Sequence, residues 1–248
     1  MKLAAIYNLW DGEELLLGSM KCLKDHVDLF IIVWQEVSNF GEPHNPLDNL
    51  NFAGFPIALV KYNPPQSNGA PNEINKRNLG LEIARGMDCT HFLHIDADEY
   101  YHDFAEAKQA YINSGAAGSV CPLYTYFKKP TWRCDEPDGY YVPFIHQLTD
   151  KTTSGVTEYP FYVDPTRRIN EKDVVLLPHY MHHYSWVRKD IGRKTRNSTA
   201  RNNIAAGTLM QDYNNPALEY SAAGHYIKDW DRKLMLVEDT FGIGGMVV

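Results

Sequence analysis

The chain has 248 residues, 44% of them hydrophobic and 22% charged, and a formal net charge of -7. That length suits one large domain with an ample core, and the composition is that of an ordinary globular protein, against global disorder. The acidic balance argues against non-specific nucleic-acid binding, which needs a basic footprint to release counterions. Four scattered cysteines (Cys22, Cys89, Cys121 and Cys134), with no C-x-x-C pair, read as free thiols of a reducing compartment, hence the cytoplasm. The apolar start at residues 2–7 is too short for a signal-peptide core, and no segment approaches the roughly 20 apolar residues of a membrane span. Any membrane contact is expected to be peripheral.

Residues 2–7 are apolar and strand-like, and residues 11–27 carry Leu16, Met20, Leu23 and Val27 at helical spacing. Residues 29–34 form a continuous β-prone run of the kind found in sheets buried on both faces, and residues 57–62 form another. Pro71 and Asn72 open a helix with Leu79, Ile83 and Met87 at i, i+4 and i+8, before a fourth strand at residues 91–95. This alternation predicts an α/β fold with a mostly parallel, doubly wound sheet. Residues 39–56 and 63–71, rich in Asn, Pro and Gly, read as surface loops. Beyond residue 100 the regularity fades. Residues 104–113 look helical, and 119–127 and 140–149 look like strands around an acidic, Pro-bearing turn, which predicts a mixed, antiparallel extension. Two C-terminal helices are expected at 187–212 and 217–236, the second from Leu218, Ala222, Tyr226 and Trp230 spaced four apart.

The fourth strand runs straight into Asp96-Ala97-Asp98-Glu99. Two carboxylates at the carboxyl end of a strand lie where an open α/β sheet binds ligands, and their oxygens suit a hard divalent cation. By itself Asp-x-Asp more often marks a solvated turn. Here it follows the helix Arg77-Asn78-Leu79-Gly80-Leu81-Glu82-Ile83-Ala84-Arg85-Gly86. The segment from Arg77 to Asp98 resembles the nucleotide-sugar-dependent glycosyltransferases of the GT-A fold, especially the family 2-like branch, with their Arg-Asn-x-Gly-x-x-x-Ala-x-Gly helix feeding Asp-Ala-Asp-Glu. Asn8 with Glu13-Glu14, and the block His182-His183-Tyr184-Ser185-Trp186-Val187-Arg188, are similar to further segments of that family. Together the resemblance touches about the first hundred residues and a patch near 180–200.

The resemblance implies a GT-A, Rossmann-like domain over 1–248. Its nucleotide-binding half would be residues 1–100, its acceptor-side half 101–186, with C-terminal helices over 187–248. It implies transfer of a sugar from a nucleoside-diphosphate donor, with UDP expected from the family's habits, to a glycan, lipid-linked or protein acceptor. A metal, Mn2+ or Mg2+, would stabilise the departing diphosphate. Asp98 would contact that metal, and Asp96 the ribose or a metal-bound water. His182 is the first candidate for an added imidazole ligand and His183 the second, and an imidazole leans toward manganese. The bland alternative is that His179, His182 and His183, at i, i+3 and i+4, pack or face solvent. A zinc site is disfavoured because no cysteine pair accompanies them. Lys189, Arg193 and Arg196 fall on one helical stripe near Lys194 and Arg201; either this is a solvated face or it meets the diphosphate, and Arg188 is the preferred phosphate contact. For base and ribose the strand ends offer Tyr7 and Asn8, Gln35, Glu36 and Ser38, and Lys76 or Arg77, although polar loop residues often only cap turns.

An inverting transfer needs a carboxylate to take the acceptor proton. The sequence has no convincing copy of the family's usual Glu-Asp pair, so Asp135, Asp138 and Glu158 stand as the candidates, against an exposed acidic turn. Trp132, Tyr124, Tyr126, Tyr140 and Tyr141 surround that turn as core or as sugar-stacking rings. A nucleotidyltransferase would carry a Gly-rich, Lys-bearing N-terminal loop, whereas residues 7–14 hold only Gly12. An aspartyl-phosphate phosphatase would place its motif on the first strand and Thr or Val at the position of Tyr100. A non-catalytic nucleotide-sugar or glycan-binding module of the same fold is the remaining alternative.

Overall fold

The computed structural model describes residues 1–64, 69–198, 201–219 and 222–247. Parts of the loop expected at 63–71 and of both expected C-terminal helices therefore lie outside the described residues. In chain order the elements are β1 (Leu3–Leu9), α1 (Glu13–Leu23), β2 (Leu29–Trp34), β3 (Ile57–Lys61), α2 (Gly69–Gly86), β4 (His91–Ile95), β5 (Glu99–Tyr101) and α3 (Phe104–Ser114). There follow β6 (Gly118–Phe127), β7 (Trp132–Cys134), β8 (Tyr141–Gln147), β9 (Val174–Leu176), β10 (Met181–Trp186), α4 (Ile191–Asn197), α5 (Arg201–Ala206), α6 (Leu209–Tyr213), β11 (Tyr226–Ile227) and β12 (Arg232–Leu236).

The strands β3-β2-β1-β4 run parallel, and β8 and β6 continue the sheet antiparallel before β7, β12 and β11 close that side. The continuous apolar runs of β1 and β2 are buried on both faces because helices cover both. Alternation divides their side chains. Ala5, Tyr7, Leu9, Phe30 and Ile32 join Leu16, Met20 and Leu23 of α1 and Phe104 of α3, while Ala4, Ile6, Ile31 and Val33 meet Leu81 and Ala84 of α2. Gly80 lets α2 approach this second layer: a Cβ there would sit 2.3 Å from Ile6 Cγ2.

The antiparallel extension forms as expected, but the C-terminal region departs from helix. Residues 187–212 break into α4, α5 and α6, each two turns or fewer. The described residues of 217–236 form no α-helix. A 3-10 turn at Pro216–Glu219 leads to a β11–β12 hairpin whose turn holds Asp231 at φ +53°. Of the residues spaced four apart, Leu218 and Ala222 are buried and Trp230 packs partly against the cluster of Phe127, Trp132 and Trp186, but Tyr226 is exposed, and Ile227 and Leu234 of the hairpin are buried in its place. Residues 237–247 pack back, with Phe241, Ile243 and Met246 covering Tyr100, Tyr126 and Tyr184. Among the described residues no helix is long and apolar enough to cross a membrane.

Candidate active site

The chain leaves β1 for β2 and β3 on one side, then returns through α2 to β4 on the other. Loops after β1 and β4 therefore diverge, which opens a crevice at the carboxyl ends of the parallel strands. A cleft of about 310 Å3 occupies that place. Asn8, Trp10 and Asp11 come from the end of β1 and Gln35 from the end of β2. Lys76 and Arg77 come from α2, and Asp96 to Glu99 from the β4–β5 turn.

The two aspartates are held by different cations. Asp96 pairs with Arg167, and Arg77 Nη2 approaches its other oxygen at 3.5 Å. Arg167 also donates from Nη1 to Glu99 Oε2 at 3.0 Å, and that same Oε2 accepts the Asp96 N–H at 3.0 Å. Burial alone would raise the pKa of Asp96, but the Arg167 and Arg77 charges override it and hold the carboxyl well below its ordinary range. Asp98 pairs through Oδ2 with Arg188, with Lys194 Nζ 3.7 Å away, while Oδ1 faces His183 Nε2 at 3.7 Å. Here too burial raises the pKa, and Arg188 and Lys194 prevail, bringing Asp98 to about 2. Lys76, fully buried at the cleft, is lowered to about 8 by burial against the attraction of Glu73 and Asp96.

The histidines separate because they lie on β10, not on a helix. Alternation along the strand aims Met181, His183 and Ser185 into the cleft. His182 points to the other face, where Tyr126 Oη lies 2.8 Å from its Nδ1, and burial with His102 and Arg133 nearby lowers its pKa to about 4. His182 is therefore not beside Asp98, and the order of the two candidates is reversed. His179 pairs with Asp103, away from the cleft.

Of the remaining sequence candidates, Asn8, Gln35, Arg77, Asp96, Asp98 and Arg188 line the cleft with His183. Tyr7 does not: its ring is in the α1 layer and its hydroxyl lies 2.9 Å from Ser19 Oγ. Ser38 caps a turn, accepting the N–H groups of Phe40 and Glu42, and Glu36 pairs with Lys61. Glu158 is exposed beside Lys172, and Asp135 accepts the backbone N–H groups of Glu136 and Lys233; neither lines the cleft. Asp138 lines a neighbouring cavity and pairs with Arg232. Among the expected rings, Tyr140 and Tyr141 reach the cleft, Trp132 and Tyr126 are buried, and Tyr124 stacks on Tyr180. Arg193 pairs with Asp11 and Glu13, and Arg196 with Glu42, so the basic stripe is tied to the acidic rim, while Lys194 turns inward.

Sequence reasoning missed Arg167 and Asp164, and left Trp10 and Asp11 unexamined. Trp10 and Asp11 follow from the strand-end rule that found Asn8. Arg167 carries no local signal: a 3-10 turn capped by Asp164, which accepts the Thr166 N–H at 2.7 Å, delivers it from a loop 71 residues beyond Asp96.

Several buried polar atoms of the cleft have no hydrogen-bond partner among the described residues: Asn8 Oδ1, Gln35 Oε1, Trp10 Nε1, Arg77 Nε and Nη1, and Arg188 Nη1. Native proteins leave few such groups unmet, because each costs the desolvation of a hydrogen-bonding atom. Both unmet amide oxygens lie at neighbouring strand ends and both unmet guanidinium groups lie beside the aspartates, which matches a ligand with donors at one end and anionic oxygens at the other. For a metal, no group of three or more His, Cys, Asp or Glu converges among the described residues. Asp98 Oδ1 and His183 Nε2 face each other and form a two-ligand set, which fits an ion that keeps waters and substrate phosphates in its shell. Asp96, committed to Arg167 and Arg77, does not belong to that set.

Fold and site together define a doubly wound α/β domain with an anion-compatible cleft at its topological switch point. No family model and no curated protein matches the chain. Among solved structures it is similar to Staphylococcus aureus TarS residues 1–349, at 11% identity over 89% of this chain and 73% of that one, TM-score 0.41. The same TarS fragment in complex with UDP-GlcNAc matches at 11% identity, 89% and 74% coverage and TM-score 0.42. A mannose-1-phosphate geranyltransferase from Thermus thermophilus matches at 16% identity, 58% and 50% coverage and TM-score 0.34. Likeness at this level decides nothing about activity, which has to be argued from the cleft.

Proposed function

We propose that this protein is a glycosyltransferase that moves a sugar from a nucleoside-diphosphate donor, UDP-linked by preference, to a hydroxyl acceptor. The observation that carries the reading is the unmet guanidinium N–H groups of Arg77 and Arg188 beside the Asp96–Asp98 pair, in the same cleft as the unmet amide oxygens of Asn8 and Gln35. Asn8 and Gln35 accept from the base, Arg77 meets the ribose or the first phosphate, and Arg188 with Lys194 meets the second. Guanidinium groups suit phosphate oxygens because their fork donates two parallel hydrogen bonds. Asp98 and His183 would hold the Mn2+ or Mg2+ expected from the resemblance, which when bound supplies Lewis-acid stabilisation of the leaving diphosphate. In the transfer the acceptor oxygen bonds to the anomeric carbon. The bond from that carbon to the diphosphate oxygen breaks with its electron pair remaining on the diphosphate, and the hydroxyl proton goes to a carboxylate on the acceptor side. Asp138 is the one of the three sequence candidates that lines a cavity on that side. The expectation of a reducing, cytoplasmic setting rests on the four scattered cysteines, each of them free.

The test is calorimetric titration of UDP, GDP and CMP with and without manganese, on the wild type and on Asp98→Asn. Binding of one nucleotide that is strengthened by metal, and weakened tenfold or more in the variant, supports the reading. No binding by any nucleotide under either condition refutes it.

A further inference from the structure

A second cavity, about 580 Å3, opens beside the cleft and shares Tyr140, His183, Ser185 and Lys194 with its wall. That volume falls within the roughly 300–1,000 Å3 of small-molecule sites. C-terminal elements build its far side: Trp186 ends β10, Leu209 opens α6, and Trp230 and Arg232 flank the β11–β12 turn. Resting on the nucleotide-sugar reading of the first cleft, we propose that this second cavity seats the acceptor and that the acceptor is a saccharide, its ring against Trp186 and Trp230 and its hydroxyls on the Asp138–Arg232 pair.

The cavity lining joins aromatic rings to an ion pair. Trp186 and Trp230 meet at 5.8 Å between ring centroids with 65° between their planes, forming an apolar corner closed by Leu209. Asp138, in the lining of the same cavity, is fixed twice, by Arg232 at Oδ1 and by Thr125, whose hydroxyl donates to Oδ2 at 2.9 Å. A carboxylate and a guanidinium locked together still keep further lone pairs and N–H groups for a ligand. A pyranose has the matching form, a face of C–H groups and an edge of hydroxyls that both donate and accept. A prenyl or acyl chain would leave the ion pair desolvated without new hydrogen bonds, which is unfavourable. An extended peptide would need a groove or a free sheet edge for its backbone.

Position agrees with chemistry. The shared wall holds Lys194, which the reading above gives to the second phosphate, and His183, which it gives to the metal, so the sugar attached to that phosphate borders this wall. A saccharide seated in the second cavity is therefore adjacent to that junction. Aromatic and polar contacts also come from elements far apart in sequence, from Thr125 to Arg232, so the site exists only in the folded chain.

The experiment is saturation-transfer NMR of the full chain with methyl glycosides of glucose, galactose, mannose and N-acetylglucosamine, with decyl phosphate as the lipid-like probe, each with and without saturating UDP. The expected result is transfer to ring C–H protons of at least one glycoside. Its affinity should fall tenfold or more in Trp230→Ala, recover in part in Trp230→Phe, and fall in Asp138→Asn, with thermal melting reporting that each variant is folded. The proposal is overturned if no glycoside gives transfer, if decyl phosphate alone does, or if glycoside affinity is unchanged in both Trp230→Ala and Asp138→Asn. UDP binding to the wild type is read separately. Glycosides that bind without UDP binding keep the saccharide site and sink the transferase reading, and the reverse result does the opposite.

Discussion

Arg167 is the residue on which the acidic turn depends. It is 5% exposed and neutralises Asp96 and Glu99 together, two carboxylates whose mutual repulsion would otherwise spread the turn that aims Asp98. Removing one partner of a buried ion pair costs about 3–5 kcal/mol because the other charge is left desolvated. Arg167→Met is expected to lose stability in that range by urea denaturation, more than Asp96→Asn, which leaves Glu99 as a partner. A pH effect belongs to His146, fully buried with Nε2 2.8 Å from Tyr159 Oη, whose pKa burial lowers from 6.5 to about 4. The folded state keeps this ring neutral while the unfolded chain protonates it first. Its contribution is thus complete above about pH 6.5, shrinks as pH falls, and is gone below about pH 4. The difference corresponds to about 3 kcal/mol at 1.36 kcal/mol per unit. Stability measured from pH 7 to pH 4 should fall less steeply in His146→Gln than in the wild type.

At the scale of elements, two glycines set how closely helices approach the site. Gly12 caps α1 at φ +84°, and a Cβ there would lie 1.5 Å from Arg188 Nη1. Gly12→Ala combines left-handed strain of about 1–2 kcal/mol with displacement of the guanidinium that holds Asp98. The expected outcome is a lower melting temperature together with weakened nucleotide affinity, read by calorimetry. Gly80→Val, which drives side-chain atoms into Ile6 on β1, should cost about 1–3 kcal/mol by overpacking and disturb α2, with Arg77 on it. β10 shows the same dependence on element type: its strand geometry alone decides that His183 and not His182 faces Asp98.

The whole molecule closes over the cleft with charge. Helix α4 has no fully buried residue; Ile191 at its start packs against the Trp186 cluster, and the rest of its anchoring is ionic, Arg193 with Asp11, Glu13 and His44, Lys194 with Asp98 and Arg196 with Glu42. Partly exposed pairs of this kind are weak singly and screened by salt. Backbone hydrogen exchange in α4 should therefore quicken as ionic strength rises, and quicken further in Arg193→Ala, while exchange in β1 and β4 stays slow. Nucleotide binding should slow exchange in α4, since Lys194 and Asn197 line the cleft from that helix.

The sequence by itself determined the parallel half and the acidic pair. Residues 29–34 and 91–95 are strands at those very bounds, because long apolar runs and strand-end carboxylates are local signals that need no tertiary context. Asn8, Gln35 and Arg77 were legible for the same reason, lying at strand ends or on the helix that leads to β4. Only the tertiary structure decided the rest. The apolar residues of 217–236 sit four apart, yet pairing with β7 makes the end of that segment a strand. Arg167 reaches Asp96 from a distant loop, and Asp138 is joined to Arg232 across 94 residues. Such pairings depend on which segments the sheet brings together, a long-range outcome that no spacing along the chain encodes.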